Sequence, residues 1–375
     1  MIPLNQNLNA LKRSQIRVYT NLARATTGCA MLTIGEPDLD TPEAVKLAAM
    51  EAIQNNQTHY APNQGTPDLR KAIADHETHR GNAVTPEQVL VTIGACQALF
   101  TALLGILNPG DELIVPTPGF GLYETIATIA GAKTVPLDVT KTGFQITQEA
   151  LDAVITPKTK AILINSPCNP TGVIFSKESL AAVKRAVLSR PIFIVCDNVY
   201  HSLSYSDCPD LSCDPDLKEQ LILCQSFSKP WAMTGWRIGY LTCPDYVMDR
   251  LLLLSAATIT AVPTFLQQAA ITALSTPTAP MREIYRQRRD YVTGRLTAMG
   301  LSFPEPEGAF YVFVNIEKYG LDSETFCSRM IREGLLAAVP GSCFGTDGYI
   351  RLSYCYSDEE LKVGMDRLEA FIATL

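Results

Sequence analysis

Short runs of apolar, often β-branched residues recur through the first two thirds of the chain, and each is followed by a polar loop and a stretch of helical length. Nearly continuous apolar runs of this length are typical of strands that are buried on both faces of a parallel sheet. The runs cover residues 89–93, 112–115, 161–164, 192–196, 221–224 and 237–241. They predict an α/β domain with a mostly parallel sheet.

The pattern changes after Pro277. A charged helix is predicted at 281–299, and the shorter pieces that follow alternate between strand and helix patterns. These pieces cover residues 309–315, 323–333, 349–354 and a last helix from Asp358. We therefore expect a large domain at 40–280 and a smaller α+β domain made of 1–39 and 281–375.

The segment 251–281 carries no charged residue and is the one stretch that suggests a membrane. It also contains Ser255, Pro263 and Gln267, which are too polar or too disruptive for a helix that faces lipid. A pair of helices that is buried or lies at an interface is the favoured interpretation.

The composition narrows the class of function. Of 375 residues 47% are hydrophobic and 18% are charged, with a formal net charge of −7. Disordered chains combine low hydrophobicity with a high net charge, and this chain shows the opposite combination. A negative chain without a block of lysine and arginine has no electrostatic footprint for nucleic acid or an anionic membrane, so neither is an expected partner. Small-molecule chemistry is expected instead.

The 11 cysteines are scattered and form no Cys-x-x-Cys pair. An odd number without such spacing fits neither a disulfide framework nor a zinc site, and no metal is expected. The start of the chain lacks the basic and apolar regions of a signal peptide, which predicts a cytoplasmic protein with reduced thiols. Most of the cysteines are expected to be small core residues.

Four of the predicted strands run into polar or small residues of the kinds that bind ligands. In open α/β sheets, ligands collect at the carboxyl ends of the strands. The residues in question are the segments 94–97 and 165–172, Asp197 with Tyr200, and Ser226, Ser228, Lys229 and Arg237. We expect them to converge on one site.

Most of these residues also have an ordinary structural explanation. Asp197 could cap a helix, and 169–172 could be only a turn. Ser226 and Ser228 could cap a helix as well, and Arg237 could be a surface charge. A helix that opens with small residues at 94–96 is weak evidence for a phosphate site.

Lys229 is harder to explain in this way. It lies between a predicted buried strand and an apolar segment with Trp231, Met233 and Trp236. Such surroundings favour the neutral amine, which attacks carbonyl groups to form a Schiff base. A lysine, a carboxylate and an anion site together are what pyridoxal 5'-phosphate (PLP) requires.

Motifs along nearly the whole chain, in order, make the sequence similar to the class I aminotransferases, PLP enzymes of the aspartate aminotransferase type. The most specific segment is Ser-Phe-Ser-Lys-Pro-Trp-Ala-Met-Thr-Gly-Trp-Arg-Ile-Gly-Tyr at 226–240. The other motifs lie at 35–38, 60–70, 94–99, 109–112, 169–172, 197–200, 306–311, 340–342 and 350–353. The resemblance implies fold type I of the PLP-dependent transferases, with a mostly parallel seven-stranded sheet.

The resemblance also implies roles around the cofactor ring. Lys229 would hold PLP as a Schiff base and then move the proton from the substrate Cα. Asp197 would keep the ring nitrogen protonated, while Asn169 and Tyr200 would bond to the ring hydroxyl oxygen. Phe120 would stack on the ring.

Further roles concern the phosphate and the substrate. Ala95, Cys96, Ser226 and Arg237 would bind the phosphate, and Tyr60 would reach it from the second subunit of a homodimer. A separate set of residues would bind the substrate α-carboxylate: Arg351, Gly35 and Asn169.

Three positions depart from the family pattern. Asn198 stands where glutamate is usual, and Phe120 where tyrosine or tryptophan is common. Cys96 occupies a position that is often lysine, serine or threonine, which removes a contact to a second substrate carboxylate. A preference for aspartate is therefore doubtful.

The implied activity is transfer of the α-amino group of an L-amino acid to a 2-oxo acid by a ping-pong mechanism. A PLP-dependent carbon–sulfur lyase on the same scaffold is the alternative, which the 233–237 run disfavours. A PLP-sensing transcription regulator is remote, because only about 30 residues precede Gly35 and the net charge has the wrong sign.

Overall fold

Twelve strands are described in the computed structural model, which covers residues 6–11 and 15–375. They are β1 (Ala30–Met31), β2 (Val89–Thr92), β3 (Glu112–Thr117), β4 (Lys133–Asp138), β5 (Thr159–Asn165), β6 (Phe193–Asp197), β7 (Leu221–Ser226), β8 (Gly239–Thr242), β9 (Tyr311–Asn315), β10 (Leu336–Ala337), β11 (Val339–Pro340) and β12 (Tyr349–Ser353). Seven of these strands form one large sheet, in the order β2-β8-β7-β6-β5-β3-β4.

The α-helices of the same residues lie between and after these strands. They are α1 (Gln6–Asn9), α2 (Gln15–Ala25), α3 (Glu43–Gln54), α4 (Pro67–His79), α5 (Gly94–Ile106), α6 (Leu122–Ile129), α7 (Gln148–Val154), α8 (Lys177–Leu188), α9 (Asp245–Ile259), α10 (Thr264–Leu274), α11 (Ala279–Ala298), α12 (Ser323–Gly334) and α13 (Asp358–Ile372).

The large sheet is parallel except for β8, which runs antiparallel to both of its neighbours. The predicted α/β fold with a mostly parallel, seven-stranded sheet is therefore confirmed. Alternate residues of the central strands enter two different cores. Ile162 and Ile194 pack with α7 and α8 on one face, whereas Leu163 and Val195 pack with α5 and α6 on the other. Burial on both faces explains why these strands read as unbroken apolar runs.

One strand of the sheet does not stand out in the sequence. β4 lies at the edge, pairs only with β3, and leaves most of its residues partly or fully exposed. Its Pro136 cannot donate a ladder hydrogen bond, which an edge strand tolerates. The predicted run 237–241 also begins too early, because Arg237 has a φ of 53° and the strand starts at Gly239.

The C-terminal part of the chain forms a second, antiparallel sheet in the order β11-β12-β9. The predicted helices and strands of this part are present as α11, α12, α13, β9 and β12. Residues 30–31 pair with 336–337 in a separate two-stranded sheet, so the beginning of the chain lies against its C-terminal part. The division at 40 and 280 stays a prediction.

The uncharged segment 251–281 forms most of α9 and all of α10. Its polar residues have structural partners. Gln267 is fully buried, accepts a hydrogen bond from the Thr66 backbone at 2.8 Å and donates one to the Val262 carbonyl at 2.8 Å. Among the helices of the described residues, none has the length and apolar character of a bilayer-spanning segment.

Candidate active site

The carboxyl ends of the strands bring the predicted site residues to one edge of the large sheet. Asn165, the last residue of β5, pairs with Asp197 at the end of β6, and Asp197 in turn pairs with Cys224 in β7. Gly239, the first residue of β8, lies between Ser226 of β7 and Thr92 of β2. The register therefore aligns the four strand ends that the sequence singled out.

Asp197 is a buried carboxylate, with 4% of its surface exposed. The hydroxyl of Tyr123 donates a hydrogen bond of 2.7 Å to its Oδ2, and the Val199 backbone lies 3.5 Å from Oδ1. Burial raises the pKa of Asp197 to about 6, although both hydrogen bonds oppose this rise. In the described part of the chain no α-helix starts directly after Asp197, so Asp197 does not cap an α-helix.

Lys229 follows β7 and is partly buried beside the second sheet. Its Nζ donates a hydrogen bond of 2.6 Å to the Gly35 carbonyl and lies 5.8 Å from the centre of the Phe310 ring. Removal of the amine from water lowers its pKa. The direction of this shift is the one that the sequence leads us to expect for this lysine.

The first turn of α5 and Arg237 form a cradle for an anion. The Arg237 guanidinium lies so close to Gly94 that a Cβ on Gly94 would meet Nη2 at 2.8 Å. Gly94 has a φ of 68°, and Arg237 Nη1 donates a bond of 2.9 Å to the Thr234 carbonyl. A cation at the positive end of a helix dipole is suited to a phosphate.

The other residues that the sequence predicts to bind the phosphate border this cradle. Ala95 packs against the core cluster that contains Tyr200, and Cys96 is exposed in the first turn of α5. Ser226 is buried at the end of β7 and accepts a hydrogen bond of 3.1 Å from the Ser228 backbone. No α-helix begins at either serine, which excludes a role as an α-helix cap.

Arg351 lies in β12 with only 2% of its surface exposed. Its Nη1 donates a hydrogen bond of 2.8 Å to Asn169 Oδ1, and Nη2 donates one to the Thr33 carbonyl. The rings of Tyr311 and Phe344 lie 4.4 and 4.9 Å from its guanidinium carbon. Within residues 6–11 and 15–375, Arg351 Nε has no hydrogen-bond partner and no carboxylate forms an ion pair with this side chain. A buried, incompletely bonded guanidinium is suited to an anionic ligand.

Backbone and side-chain bonds connect Arg351 to the end of the sheet. Asn169 is held by Asn165, whose Oδ1 accepts from the Asn169 backbone at 2.9 Å. The same Asn165 donates through Nδ2 to the Asp197 carbonyl at 2.8 Å. Tyr200 completes this group, since its hydroxyl lies 2.9 Å from that of Tyr311.

Two predicted site residues stand apart. Phe120 lies beside Tyr123, with ring centres 5.9 Å apart and planes nearly perpendicular. Tyr60 is 92% exposed. Sequence reasoning missed three contacts with the site: the hydrogen bond from Tyr123 to Asp197, and the rings of Tyr311 and Phe344 against Arg351. Tyr311 is the last residue of the 306–311 motif, and this is the signal that could have identified it.

The side chains present fit PLP. The absence of a Cβ on Gly94 lets the Arg237 guanidinium lie against the first turn of α5, and a cation at this helix N-terminus matches a phosphate. Asp197 is a buried carboxylate suited to a protonated pyridine nitrogen, and Lys229 is an amine suited to an aldehyde. Arg351 remains available for a substrate carboxylate.

Comparisons with known proteins agree with this chemistry. The sequence pattern of the family described as aminotransferase class I and II matches residues 27–368. A probable N-acetyl-LL-diaminopimelate aminotransferase of Bacillus subtilis is 38% identical over 98% of this chain and 95% of its own length. The aromatic-amino-acid aminotransferase 2 of Thermococcus litoralis is 36% identical over 98% of this chain and 97% of its own length.

A solved structure extends the similarity to the fold. The aspartate aminotransferase of Thermus thermophilus with maleate superimposes with a TM-score of 0.94 at 36% identity, covering 99% of this chain and 100% of that one. The predicted family, cofactor and activity are confirmed. The chain belongs to the class I and II aminotransferases and is a PLP-dependent aminotransferase.

Proposed function

We propose that this enzyme transfers the α-amino group of an L-amino acid to a 2-oxo acid in the site formed by Lys229, Asp197, Arg237 and Arg351. The single observation that supports this proposal most directly is that three features meet at the carboxyl ends of the strands of the large sheet. Asn165 and Asn169 connect the buried Asp197 to the buried Arg351 of the second sheet by hydrogen bonds. Lys229, whose pKa is lowered, lies close enough to Asp197 to act on it electrostatically.

Each cofactor contact follows from a side chain already described. Arg237, Ser226 and the first turn of α5 with Ala95 and Cys96 would hold the phosphate. Asp197 would accept a hydrogen bond from the ring nitrogen. Phe120 would stack on the ring. The ring hydroxyl oxygen would be bonded to Asn169 and Tyr200.

Bound PLP supplies an electron-withdrawing ring that makes the substrate Cα proton acidic. Arg351 binds the α-carboxylate through two parallel hydrogen bonds, with help from Asn169 and the backbone of Gly35. A carboxylate held in this way fixes the direction of the Cα–H bond towards Lys229. The neutral amine of Lys229 would then accept the Cα proton and pass it to the carbon on the cofactor side of the same nitrogen. Water would release the 2-oxo acid and leave the amino group on the cofactor, and a second 2-oxo acid would take up that group by the reverse sequence.

We extend the proposal to the amino donor. Cys96 places a thiol at the opening of α5, where a lysine would attract a second carboxylate. Glu36, whose carboxylate accepts a bond of 2.7 Å from Thr234, adds a negative charge near Lys229. Donors with uncharged or aromatic side chains are therefore favoured over aspartate.

We also propose a cytoplasmic homodimer. Helix α3 exposes Leu47, Met50 and Ile53 by 54, 56 and 49%, and their spacing puts them on one face. Tyr60 follows this helix and is 92% exposed. Burial of this face against a second copy would bring Tyr60 to the partner's phosphate site. All eleven cysteines are free, which suits a reducing compartment.

A donor panel tests the activity. The holoenzyme is mixed with one amino acid at a time without acceptor, and the cofactor absorbance is followed. We expect conversion to the amino form of the cofactor, and recovery when 2-oxoglutarate or pyruvate is added. Release of pyruvate with ammonia or sulfide in the absence of acceptor would instead identify a lyase.

A variant tests the role of the lysine. Lys229→Ala should abolish transfer while the protein still binds PLP through its phosphate. Lys160→Ala is a matched control, because that lysine packs over Phe193 away from the site, and it should leave transfer unchanged. Retained transfer in Lys229→Ala would contradict the proposal.

A further inference from the structure

Tyr311 lies between Tyr200, which is proposed to contact the cofactor, and Arg351, which is proposed to bind the substrate. Its hydroxyl is 2.9 Å from the Tyr200 hydroxyl, and its ring lies 4.4 Å from the Arg351 guanidinium carbon. Only 2% of Tyr311 is exposed. A Cβ on Gly35 would lie 1.7 Å from the Tyr311 hydroxyl, so the backbone at residue 35 fits against that oxygen.

The direction of the hydrogen bond between the two tyrosines follows from the role proposed for Tyr200. A phenol hydroxyl has one proton to donate and can accept a hydrogen bond at the same time. A Tyr200 that donates to the cofactor ring oxygen must therefore accept from the Tyr311 hydroxyl, which lies 2.9 Å away.

Several titratable and charged groups surround this pair. Tyr200 faces Tyr311, Arg351 and Asp197, while Tyr311 also faces Cys355 and Tyr356. Arg351 is the permanently charged cation among these groups, and its charge acts on both phenols.

We propose that Tyr311 is a positioning residue that acts through Tyr200 on the cofactor and through its ring on Arg351. Its hydroxyl orients the Tyr200 hydroxyl as a donor to the cofactor ring oxygen, and hydrogen bonds in such a chain strengthen one another. Its ring holds the guanidinium by a cation–π contact. This inference rests on the proposed placement of Tyr200 beside the ring oxygen.

The test separates the two effects with two variants. Tyr311→Phe keeps the ring and removes the hydroxyl, so the pKa read from the cofactor's visible absorbance in the substrate-free holoenzyme should rise by roughly half a unit to one unit. Binding of 3-phenylpropionate, an unreactive carboxylate, should stay within about twofold of the parent. Tyr311→Leu should also weaken 3-phenylpropionate binding by roughly 3- to 30-fold.

Tyr285→Phe is the matched control. This tyrosine is fully buried beside Phe310, and its hydroxyl has no partner among the described residues. Its removal should leave the absorbance titration unchanged. An equal shift in Tyr285→Phe would reveal general loosening and overturn the inference.

Tyr200→Phe distinguishes a failure of this inference from a failure of the proposed site. A raised pKa in Tyr200→Phe together with parental behaviour in Tyr311→Phe would overturn the role of Tyr311 alone. A parental titration in Tyr200→Phe would overturn the placement of Tyr200 itself. A shift in both, without one in Tyr285→Phe, supports the inference.

Discussion

Tyr123 donates a hydrogen bond of 2.7 Å to Asp197, from the first turn of α6 to the last residue of β6. Both side chains are almost completely buried. A neutral donor stabilises the charged carboxylate without adding a second charge. Tyr123 thus makes an ionised Asp197 less costly in a place where burial alone would keep it protonated.

Removal of the Tyr123 hydroxyl should weaken the binding of PLP. Tyr123→Phe leaves Asp197 with fewer hydrogen bonds, which raises the pKa of its carboxyl further and disfavours the form that pairs with a protonated ring. A bond to a charged group contributes roughly 1.5–3 kcal/mol, so the Kd for PLP should rise by about 10- to 100-fold. Fluorescence titration of the cofactor-free protein measures this, and an unchanged Kd would contradict it.

Asp197 should make the stability of the cofactor-free protein depend on pH. Its pKa rises from 3.8 to about 6 on folding, so between these values the folded state holds a proton that the unfolded state has released. The free energy of unfolding therefore falls as the pH rises through this window, by on the order of 3 kcal/mol.

The measurement compares the parent with Asp197→Asn, which cannot ionise. Urea unfolding near the lower and the upper end of the window gives the difference in stability between the two proteins. We expect the parent to lose stability relative to the variant as the pH rises. A difference that stays constant with pH would show that folding does not change the pKa of Asp197.

Arg351→Lys should impair substrate binding while the charge is kept. Lysine cannot form two parallel bonds to a carboxylate, nor can it lie flat between Tyr311 and Phe344. We expect kcat/KM to fall by roughly 10- to 100-fold, mostly through KM. Arg367→Lys is a control, since that arginine is half-buried and bonds only to the carbonyls of Gly28 and Leu335 in the described contacts. Equal effects of the two changes would contradict a carboxylate site at Arg351.

Gly35→Ala should disturb the position of Tyr311. The added methyl group would lie 1.7 Å from the Tyr311 hydroxyl and 3.0 Å from Phe310, so these rings must move. Overpacking of this kind costs about 1–3 kcal/mol of unfolding free energy. A methyl group at Gly294 in α11 would meet open space, so Gly294→Ala should raise the free energy of unfolding by about 0.5–1 kcal/mol. Urea unfolding of both variants measures these changes in the free energy of unfolding. Equal changes in the two variants would contradict the prediction.

The sequence predicted the parts of the fold and site that depend on local pattern. The central strands have two buried faces and so read as apolar runs, whereas the exposed edge strand β4 has no such pattern. Lys229, Asp197 and Arg351 were found by residue type and motif. The hydrogen bonds from Tyr123 to Asp197 and between Tyr311 and Tyr200 were not predicted, because they join residues 74 and 111 positions apart and arise only when the chain folds.

A buried ionic group behind Asp197 should contribute strongly to stability. Arg80 donates hydrogen bonds to the fully buried Glu77 at 3.0 Å and to Asp210 at 2.8 Å. Asn198, the neighbour of Asp197 in the chain, donates to the same Asp210 at 2.9 Å. Removal of the one arginine would leave two buried carboxylates without their cation.

Arg80→Ala should therefore lower the free energy of unfolding by roughly 3–5 kcal/mol. Lys71→Ala breaks an ion pair to Asp75 in the same helix whose side chains are 70 and 55% exposed, and it should change stability by at most about 0.5 kcal/mol. Urea unfolding at neutral pH gives both values. A small loss in Arg80→Ala would mean that Glu77 and Asp210 take up protons in the folded protein, and repeating the measurement at higher pH would then enlarge the loss, since the carboxylates must ionise.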